Sequence, residues 1–444
     1  MEQTIVAPAT PNGISALAAI RVSGSMSLKI AERVLGNKAP EDRKAVLGTA
    51  RHPVTKKEID SLVYIFYKGP HSYTGEDSLE LFPHGNPLIV RSLIEALCTI
   101  ENVRIAYRGE YTKRAFLNGK MDLVQAESVA DVIHSQTLSA LDNAHKLLSG
   151  RFSKEVHELS DKLKSISARI ELDVDFVEEE AEPDVEGWNS RFTEIQKSIE
   201  NLLAHFKSSG SLNHRPRIVL YGAPNAGKSS LLNALVGENR VLVSDVPGTT
   251  RDFIEVSLPL PSGEATLIDT AGLAKVAQNA LDERSMQKSL EALETADLGI
   301  CLVETPKMNE AEARRTIENA KEKNRWVIFS KADLDPNSTH ASGIFISTKT
   351  GFGLCEFKNK LDKALFPEGE STEEFWITSK RELAALEEAE AGLNRIQTLL
   401  RTNPAVELIA FELRQVSASL AGIVGEISSE SILQSIFSGF CIGK

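Results

Sequence analysis

The stretch GAPNAGKSS, residues 222–230, decides the fold of the central part of this chain. It matches the pattern G-x-x-x-x-G-K-[ST] and lies between a strand-like run, RIVLY, and a helix-like run, SLLNALVG. Gly222 and Gly227 allow the backbone to curl so that its N–H groups face phosphates. Lys228 is expected to reach the β- and γ-phosphates, and the Ser229 hydroxyl to bind Mg²⁺. The stretch therefore predicts a site for a nucleoside triphosphate.

Two companion motifs follow in the order that such a site requires. PGTTRD offers Thr249 and Thr250, of which one hydroxyl, assigned to Thr250, completes the Mg²⁺ shell when the γ-phosphate is present. DTAG follows a strand, so that Asp269 suits the outer Mg²⁺ shell and the Gly272 N–H suits the γ-phosphate. Further nucleotide contacts are expected within or beside these motifs, at Asn225, Ala226, Ser230, Ser244, Thr270 and Ala271.

The motif FSKAD indicates which base is bound, because it resembles the guanine motif N-K-x-D with Ser330 in place of asparagine. The two acceptor oxygens of Asp333 match the N1–H and N2–H₂ donors of guanine, whereas adenine would leave the carboxylate unpaired at a cost of about 1–3 kcal/mol. Lys331 is expected to lie along the base plane. Since serine is shorter than asparagine, we expect a looser connection to the phosphate loop.

A last guanine-contacting loop is predicted at STKTG, with contacts from Ser347, Thr348 and Lys349. Together with Asp333, this loop makes GTP the predicted nucleotide.

Beyond a linker at 207–216, apolar strand-like runs alternate with helix-like stretches, which is typical of a mostly parallel sheet covered by helices. Apolar stripes at steps of three or four residues flank this region and predict long helices. The first comprises Leu148, Phe152, Val156, Leu159, Leu163, Ile166 and Ile170, continued by Phe192, Ile195, Ile199, Leu202 and Phe206. The second comprises Ile409, Leu413, Val416, Leu420, Val424 and Ile427.

The predicted fold class is therefore mixed α/β and all-α, in three parts. Residues 1–118, with strand-like runs and one helix-like stretch near 87–98, are expected to form an α+β domain. Residues 119–212 and 370–444 are expected to form one helical-bundle domain, interrupted by a Ras-like P-loop GTPase domain at 213–369. Two separate helical domains are the alternative.

Composition limits the classes of function. The chain has 444 residues and a net charge of −12, from 50 basic and 62 acidic residues, so a generic nucleic-acid binder is not indicated. The stretch 103–120 is locally basic and is compatible with either tRNA contact or a solvated face. No apolar run approaches the ~18 residues of a membrane span, and no secretory signal is visible. Four dispersed cysteines fit a reducing cytoplasm.

Outside the GTPase region, long stretches resemble the MnmE (TrmE) family of bacterial tRNA modification GTPases. The matching stretches are SYTGEDSLEL, RGEYTKRAFLNGKMDLVQAESVADVI and the terminal FCIGK, in order with the nucleotide motifs. The resemblance implies a folate-binding N-terminal domain that also forms a homodimer. It also implies a heterotetramer with the FAD-dependent partner MnmG (GidA). This complex would build an aminomethyl-type (carboxymethylaminomethyl) group at C5 of wobble uridine in certain tRNAs.

The one-carbon unit is implied to come from tetrahydrofolate, as its 5-formyl or 5,10-methylene form. The family's folate pocket corresponds here to Arg21, Glu80, Lys120 and Lys444. A carboxylate such as Glu80 can pair with the donor edge of a pterin, and the cations suit the carboxylates of folate.

The resemblance also implies hydrolysis through G-domain dimerisation around K⁺, which replaces an arginine finger. The potassium ligands correspond to Asn225, the backbone carbonyls of Ser244 and Val246, and Thr249.

The glutamate that orients water in the family lies in a segment that is shorter here, AKVAQNALDERS. Alignment of its ERS end places Gln278 at the position of that acid, where it would position water without charge. Alternatively, Asp282 or Glu283 replaces the glutamate. The predicted catalytic residues are therefore Lys228, Thr250 and Gln278.

The C-terminal CIGK is not a prenylation motif, because such motifs end in residues such as Ser, Met or Leu and carry aliphatic residues after the cysteine. The resemblance places Cys441 and Lys444 near the one-carbon site of the folate. A nucleophilic role for Cys441 and a buried, purely structural role are alternatives.

Two other functions use the same GTPase motifs. One is a GTP-gated ribosome-assembly factor without folate chemistry, and the other is a scaffold switch with little hydrolysis. Folate binding distinguishes the first from a tRNA-modifying enzyme, and the potassium dependence of hydrolysis distinguishes the second.

Overall fold

The computed structural model of the chain separates into two compact units. The first comprises Met1–His134, Asn143–Phe206 and Phe375–Lys444, and the second comprises Ser135–Asp142 and Lys207–Glu374. The structure describes residues 3–37, 39–175, 185–206, 212–237, 254–269, 291–337, 343–366, 375–402, 406–427 and 429–444.

The N-terminal part of the first unit is built on a six-stranded sheet of order β4-β5-β6-β3-β1-β8. β1 pairs antiparallel with β3 and parallel with β8, and the remaining neighbours are antiparallel. A separate pair joins β2 to β7. The strands are β1 Thr4–Pro8, β2 Ser15–Leu17, β3 Ile20–Ser23, β4 Ala45–Arg51, β5 Glu58–Tyr67, β6 Ser78–Phe82, β7 His84–Gly85 and β8 Val103–Ile105.

Three helices accompany this sheet: α1 Ser27–Leu35, α2 Pro87–Cys98 and α3 Glu110–Leu117. The helix predicted near 87–98 is confirmed as α2, which begins after Asn86 with a proline in its first turn. The sequence prediction missed α1 and α3. α1 is short and α3 carries several charged residues, so neither stands out as a long apolar stripe.

The rest of the first unit is helical. Its helices are α4 Leu123–His134, the part of α5 Leu138–Leu148 that begins at Asn143, α6 Arg151–Asp175, α7 Val185–Ala204, α11 Lys380–Arg401, α12 Val406–Val424 and α13 Glu430–Ser438. α11 packs on α12 and α7, and α12 packs on α6, so that the two flanking stripes share one core. Helices from residues 151–204 and from residues 380–424 therefore form one continuous core.

Three residues of the predicted stripes lie outside the helices assigned to them. Leu148 ends α5 rather than beginning α6, because Gly150 takes a positive φ of 83° between the two helices. Phe206 follows α7 and pairs with Ile377 in an isolated bridge. Ile427 is 63% exposed, because Gly425 at φ 85° ends α12.

The second unit contains a six-stranded sheet of order β10-β11-β9-β12-β13-β14. Only the β10–β11 pair is antiparallel, and the other neighbours are parallel. The predicted mostly parallel sheet is confirmed, although the sequence prediction did not include β10. The strands are β9 Arg217–Gly222, β10 Ile254–Leu260, β11 Gly263–Asp269, β12 Leu298–Glu304, β13 Trp326–Ser330 and β14 Ile344–Phe345.

The described helices of this unit are α8 Lys228–Val236, α9 Ala311–Glu322 and α10 Leu354–Leu365. Residues 135–142 also cluster with it, since Leu138 N donates to Ser262 O at 2.8 Å and Thr137 Oγ1 donates to Leu212 O at 2.8 Å. Across the part of the chain that the structure describes, no helix is long and apolar enough to cross a membrane.

Candidate functional sites

The phosphate loop connects β9 to α8 and takes backbone conformations that few residues adopt. Gly222 has φ 140°, and a Cβ there would lie 2.4 Å from Leu302 O. Asn225 has φ 64° and Gly227 has φ 95°. A side chain at position 222 would push β9 away from β12, which explains the glycine at the first position of the motif.

Lys228 lies across this loop. Its Nζ donates to Gly222 O at 2.8 Å and to Ala223 O at 2.9 Å. Burial lowers the pKa of Lys228 below its ordinary value, and the nearby Asp269 and Cys301 act in the opposite direction. The ammonium group is therefore already at the loop centre, where a phosphate oxygen would replace the two carbonyl oxygens.

Ser229 and Asp269 meet at the other side of the loop. Ser229 Oγ donates to Asp269 Oδ2 at 2.8 Å, and Asp269 is buried at the end of β11. A hydroxyl beside a carboxylate is the oxygen donor set that Mg²⁺ prefers. The two residues therefore fit a magnesium site with Ser229 as direct ligand and Asp269 behind it.

The segment predicted to bind the base follows β13, next to the loop after β14. Asp333 Oδ1 accepts a hydrogen bond from Ser347 Oγ at 2.6 Å, and this bond lowers the pKa of Asp333. Lys331, with φ 57°, forms an ion pair with Glu304 at 3.2 Å. Thr348 is half-buried and Lys349 is exposed. The structure thus brings the two predicted guanine loops together.

The expected looser connection at Ser330 is wrong. Its hydroxyl is buried and donates to Ala226 O of the phosphate loop at 2.6 Å, with Val303 O at 3.3 Å. The shorter side chain reaches because β13 ends beside the loop, so a direct bond replaces the longer reach of an asparagine.

Several predicted nucleotide and metal residues lie outside the described residues. They are Ser244, Val246, Thr249, Thr250, Thr270, Ala271, Gly272 and Gln278, so their roles stay predictions. Ser230 is described and exposed, one position after Ser229.

In the first unit, a cavity of about 290 Å³ is lined by residues of the interior strands β3, β5 and β6 and of the segments that follow them. Arg21 and Glu80 are direct partners in the β3–β6 register, so their side chains share one face. Arg21 Nε lies 3.0 Å from Glu80 Oε1, and Tyr67 Oη donates to Glu80 Oε2 at 3.3 Å. Both oxygens of the Glu80 carboxylate are thereby oriented towards fixed partners.

The C-terminal end of the chain contacts Arg21, one of the residues that line this cavity. Arg21 Nη1 donates to Gly443 O at 3.4 Å, and a Cβ at Gly443 would lie 2.3 Å from Pro8 O of β1. Burial and the Arg21 charge lower the pKa of Lys444, against the opposing effect of Glu80. Residues more than 400 positions apart in sequence are therefore neighbours here.

Lys120 also lines this cavity, and its Nζ donates to Pro70 O at 3.0 Å. The four residues predicted from the family's folate pocket thus lie around one place. Sequence reasoning missed the three aromatic residues of the cavity, Tyr67, Tyr73 and Tyr111, of which Tyr73 has its ring centroid 6.0 Å from the Arg21 guanidinium. For Tyr67, the available signal was alternation along β5, which is uninformative until the β5–β6 register is known.

Cys441 is exposed, so the buried structural alternative for this residue is wrong. Its Sγ lies 3.9 Å from His134 Nε2 at the end of α4. Cys441 is therefore exposed two residues before Gly443, which is bound to Arg21 of the cavity lining.

A phosphate loop whose serine donates to the aspartate at the end of β11, beside a second loop that presents Asp333, defines a GTP-hydrolysing enzyme of the P-loop class. Two protein-family models match the chain, and together they cover nearly all of it. The model "GTP-binding protein TrmE N-terminus" matches residues 4–120, and "MnmE helical domain" matches residues 123–441. The chain belongs to the MnmE (TrmE) family of tRNA modification GTPases.

Curated relatives agree with the family models. The tRNA modification GTPase MnmE of Dichelobacter nodosus is 37% identical over 450 residues, covering 100% of this chain and 99% of the relative. That of Aquifex aeolicus is 36% identical over 453 residues, covering 100% of both. The similarity is therefore continuous from the N-terminal domain to CIGK.

Solved structures that are similar to part of the chain include two G domains. The G domain of the T. maritima FeoB iron transporter is 26% identical, covers 34% of this chain and 99% of that domain, and has a TM-score of 0.27. The FeoB G domain of Methanococcus jannaschii is 22% identical, covers 34% and 98%, and has a TM-score of 0.25. TM-scores this low add nothing to the family assignment.

Proposed function

We propose that this tRNA modification GTPase installs a carboxymethylaminomethyl-type group at C5 of wobble uridine in certain tRNAs. In this proposal, a tetrahydrofolate derivative supplies the one-carbon unit and an FAD-dependent partner of the MnmG (GidA) type completes the chemistry. The observation that carries it is the Arg21–Glu80 pair at 3.0 Å in a cavity, with the C-terminal Gly443 hydrogen-bonded to the same arginine. A GTPase acting without folate has no need of this pocket.

The residues present fit a folate. Glu80 is held by Arg21 and Tyr67, so its carboxylate is oriented before a pterin donor edge arrives. Lys120 and Lys444 would bind the carboxylates or the polar groups of the 5-formyl or 5,10-methylene form. When bound, the folate supplies the carbon that enters the modification.

Hydrolysis of GTP would supply the energy, and the charged residues of the site would stabilise the transition state of that hydrolysis. Lys228 would move from two carbonyl oxygens to the β- and γ-phosphates, and Asp333 would select guanine. Ser229 and Thr250 would hold Mg²⁺, which neutralises phosphate charge when bound. The shorter link at Ser330 keeps the guanine loop attached to the phosphate loop.

Hydrolysis is proposed to need K⁺ at the interface of two G domains. Asn225 lies in the phosphate loop with an exposed side chain, where its amide oxygen suits a large monovalent cation. The other proposed ligands are Ser244, Val246 and Thr249. A GTPase rate that is equal in potassium and sodium buffers would contradict this part of the proposal.

Gln278 is proposed to orient the attacking water. Gln278→Ala should slow hydrolysis strongly and leave nucleotide affinity unchanged, as measured by single-turnover hydrolysis and fluorescent GDP binding. Unchanged hydrolysis would move the role to Asp282 or Glu283.

The proposed assembly is a homodimer that joins two copies of the flavoprotein in a heterotetramer, acting on tRNA in the cytoplasm. Light scattering coupled to size exclusion measures the mass of the chain alone and with the flavoprotein. A chain that stays monomeric at micromolar concentration would contradict the homodimer.

Folate binding by titration calorimetry tests the central pocket. The parent chain should bind 5-formyltetrahydrofolate, and Glu80→Gln should weaken binding about tenfold or more, since it removes a charged hydrogen-bond acceptor. Glu95→Gln is the matched control, because Glu95 is exposed on α2. Equal affinity of parent and Glu80→Gln would contradict the pocket, and no binding by the parent would favour the ribosome-assembly alternative.

A further inference from the structure

A second cavity, of about 750 Å³, lies in the first unit where the N-terminal part of α3 meets α13. Gly109, at φ 66°, brings the two together, because a Cβ there would lie 2.6 Å from Phe437 O. The lining residues used below are Arg104, Tyr107, Arg108, Glu110, Lys113 and Glu430. We call this cavity the α3–α13 cleft.

The cleft is positively charged in an acidic protein. Its lining includes four cationic side chains, at Arg104, Arg108, Lys113 and Arg114, and two acidic ones. The whole chain carries −12, so positive potential concentrated here gives a polyanion a preferred place to dock. Most of the basic residues in the stretch 103–120 line this cleft, whereas only Lys120 lines the proposed folate cavity.

A buried ion network holds the cleft wall in place. Glu110 accepts bonds from Arg104 at 2.6 and 2.7 Å, from Arg114 at 2.9 Å and from Tyr107 N at 2.9 Å. Burial alone would raise the pKa of Glu110, but these donors lower it below its ordinary value. Arg114 is in turn fixed on Glu76 at 3.1 Å. These contacts hold Arg104 and Tyr107 before any ligand arrives.

Tyr107 presents an exposed aromatic ring, which we call the aromatic shelf. Its side chain is 71% exposed, and the Arg104 guanidinium lies 4.7 Å from the ring centroid. The exposed ring offers a flat face for stacking, and the guanidinium beside it adds a second flat, cationic surface. Such pairs stack well on nucleic-acid bases.

Arg108 is the cation most available to a ligand. It is exposed and forms no hydrogen bond or ion pair with any residue that the structure describes. Lys113, by contrast, is engaged with Glu430 at 2.5 Å on α13, although that contact is largely exposed and easily exchanged. The cleft therefore offers one unengaged guanidinium next to the aromatic shelf.

We propose that the α3–α13 cleft binds an unpaired nucleotide of the tRNA substrate, with the base on Tyr107 and Arg104 and a flanking phosphate on Arg108. This inference rests on the proposed function for the identity of the RNA. An exposed base is required, because bases inside a duplex do not offer a face for stacking. A protein partner is the other occupant that the charges permit, since tyrosine and arginine are also common at protein interfaces. The flat ring and guanidinium beside the unengaged Arg108 favour a base with its phosphate.

Fluorescence anisotropy with a labelled tRNA anticodon stem-loop tests the cleft in the full chain. Tyr107→Ala should weaken binding about tenfold, and Tyr107→Phe should keep the parent affinity. Arg108→Ala should weaken binding and lower the slope of log K against log salt by about 0.7. A fully paired RNA of equal length should bind more weakly than the stem-loop and respond little to Tyr107→Ala.

Arg33→Ala is the control, because Arg33 is exposed on α1 outside the cleft. Thermal unfolding and GTP hydrolysis of each variant establish that it is folded. If the parent binds the stem-loop and the cleft variants bind it equally well, the cleft proposal is overturned and the proposed function stands. If the parent binds no tRNA, both fail. Unchanged RNA affinity with weaker flavoprotein binding would assign the cleft to the protein partner.

Discussion

At the scale of single residues, Ser330 joins the guanine loop to the phosphate loop through one hydroxyl group. Its Oγ donates to Ala226 O at 2.6 Å inside a buried contact. A neutral buried hydrogen bond contributes about 1 kcal/mol, and a carbonyl left without its donor costs at least as much. The serine is therefore expected to support nucleotide affinity in spite of its length.

Ser330→Ala should weaken GDP binding about five- to tenfold, because the Ala226 carbonyl loses its donor. Fluorescent GDP titration measures the change. Ser257→Ala is the control, since Ser257 in the same unit bonds the exposed Glu264 side chain and lies away from the site. Equal affinities for all three proteins would show that the Ser330 hydroxyl does not support the loop.

Asp333→Asn should exchange the preferred base. The amide offers a donor where guanine's N2–H₂ needs an acceptor, whereas xanthine presents a carbonyl oxygen at that position. Hydrolysis of GTP should fall at least about tenfold and hydrolysis of xanthosine triphosphate should rise. Asp335→Asn changes the charge equally two residues later and should keep GTP. Retained GTP preference in Asp333→Asn would contradict the assigned role.

The sites were predictable where a motif carries its own geometry. The phosphate loop and Asp333 follow from local spacing, because strand, loop and helix are consecutive there. The Ser330 bond was not predictable, since it depends on how closely β13 ends beside Ala226. Tyr67 was missed for a similar reason, as its contact with Glu80 depends on the pairing of two strands. Proximity across strands is a tertiary property.

At the scale of elements, α11 and α12 pack closely because one residue between them lacks a side chain. A Cβ at Gly392 of α11 would lie 2.5 Å from Val416 Cγ2 of α12. In contrast, a Cβ at Gly422 of α12 would have its nearest neighbour, Ile427 O, at 4.0 Å. The two helical glycines therefore differ in packing and not in secondary structure.

Gly392→Ala should destabilise the first unit by about 1–3 kcal/mol through overpacking, partly offset by the better helix propensity of alanine. Gly422→Ala should be neutral or stabilising by up to about 1 kcal/mol. Urea unfolding followed by circular dichroism compares them. The double variant Gly392→Ala with Val416→Ala should recover part of the loss, and equal effects of the two single variants would contradict the packing argument.

Glu382 at the start of α11 makes stability depend on pH. Burial first, and then the Glu127 charge, raise the pKa of Glu382 to about 8, and Asp131 and Asp122 act in the same direction against Arg381. A carboxyl whose folded pKa exceeds its unfolded value favours folding at low pH, and this contribution is lost as pH rises from the unfolded pKa to about 8.

Glu382→Gln removes this titration and keeps the shape of the side chain. The melting temperature of Glu382→Gln minus that of the parent should therefore rise between pH 5 and pH 8.5, because the variant has no buried carboxyl group to ionise. Differential scanning fluorimetry measures both melting temperatures. Glu387→Gln on the same helix is the control, because Glu387 is exposed. A difference independent of pH would show that Glu382 is not protonated in the folded protein.

Long helices were predictable from sequence, and their ends less so. The stripe from Phe152 to Ile170 is buried as expected within α6. Leu148 and Ile427 continue the periodicity but lie beyond a glycine in the left-handed region, which ends the helix although the apolar pattern continues. Short elements such as α1 and β10 carry too few periods for a pattern to stand out.

At the scale of the whole molecule, the described residues form two units, and each has its own core. The GTP site lies in one unit, and the cavity that we propose binds folate lies in the other. Any coupling between GTP hydrolysis and tRNA modification must therefore pass between units, and each activity should be separable by mutation. Lys228→Ala is expected to abolish hydrolysis and leave folate affinity unchanged. Glu80→Gln is expected to weaken folate binding and leave GTP hydrolysis unchanged.

The most direct test of the account is nucleoside mass spectrometry of bulk tRNA. The gene is expressed in bacteria that lack their own MnmE and retain a flavoprotein partner shown to bind this chain. The account predicts that the modified wobble uridine returns with the parent chain and fails to return with Lys228→Ala or with Glu80→Gln. If the folded, partner-bound parent restores no modified uridine, or if Glu80→Gln restores as much as the parent, the proposed folate-dependent tRNA modification is contradicted.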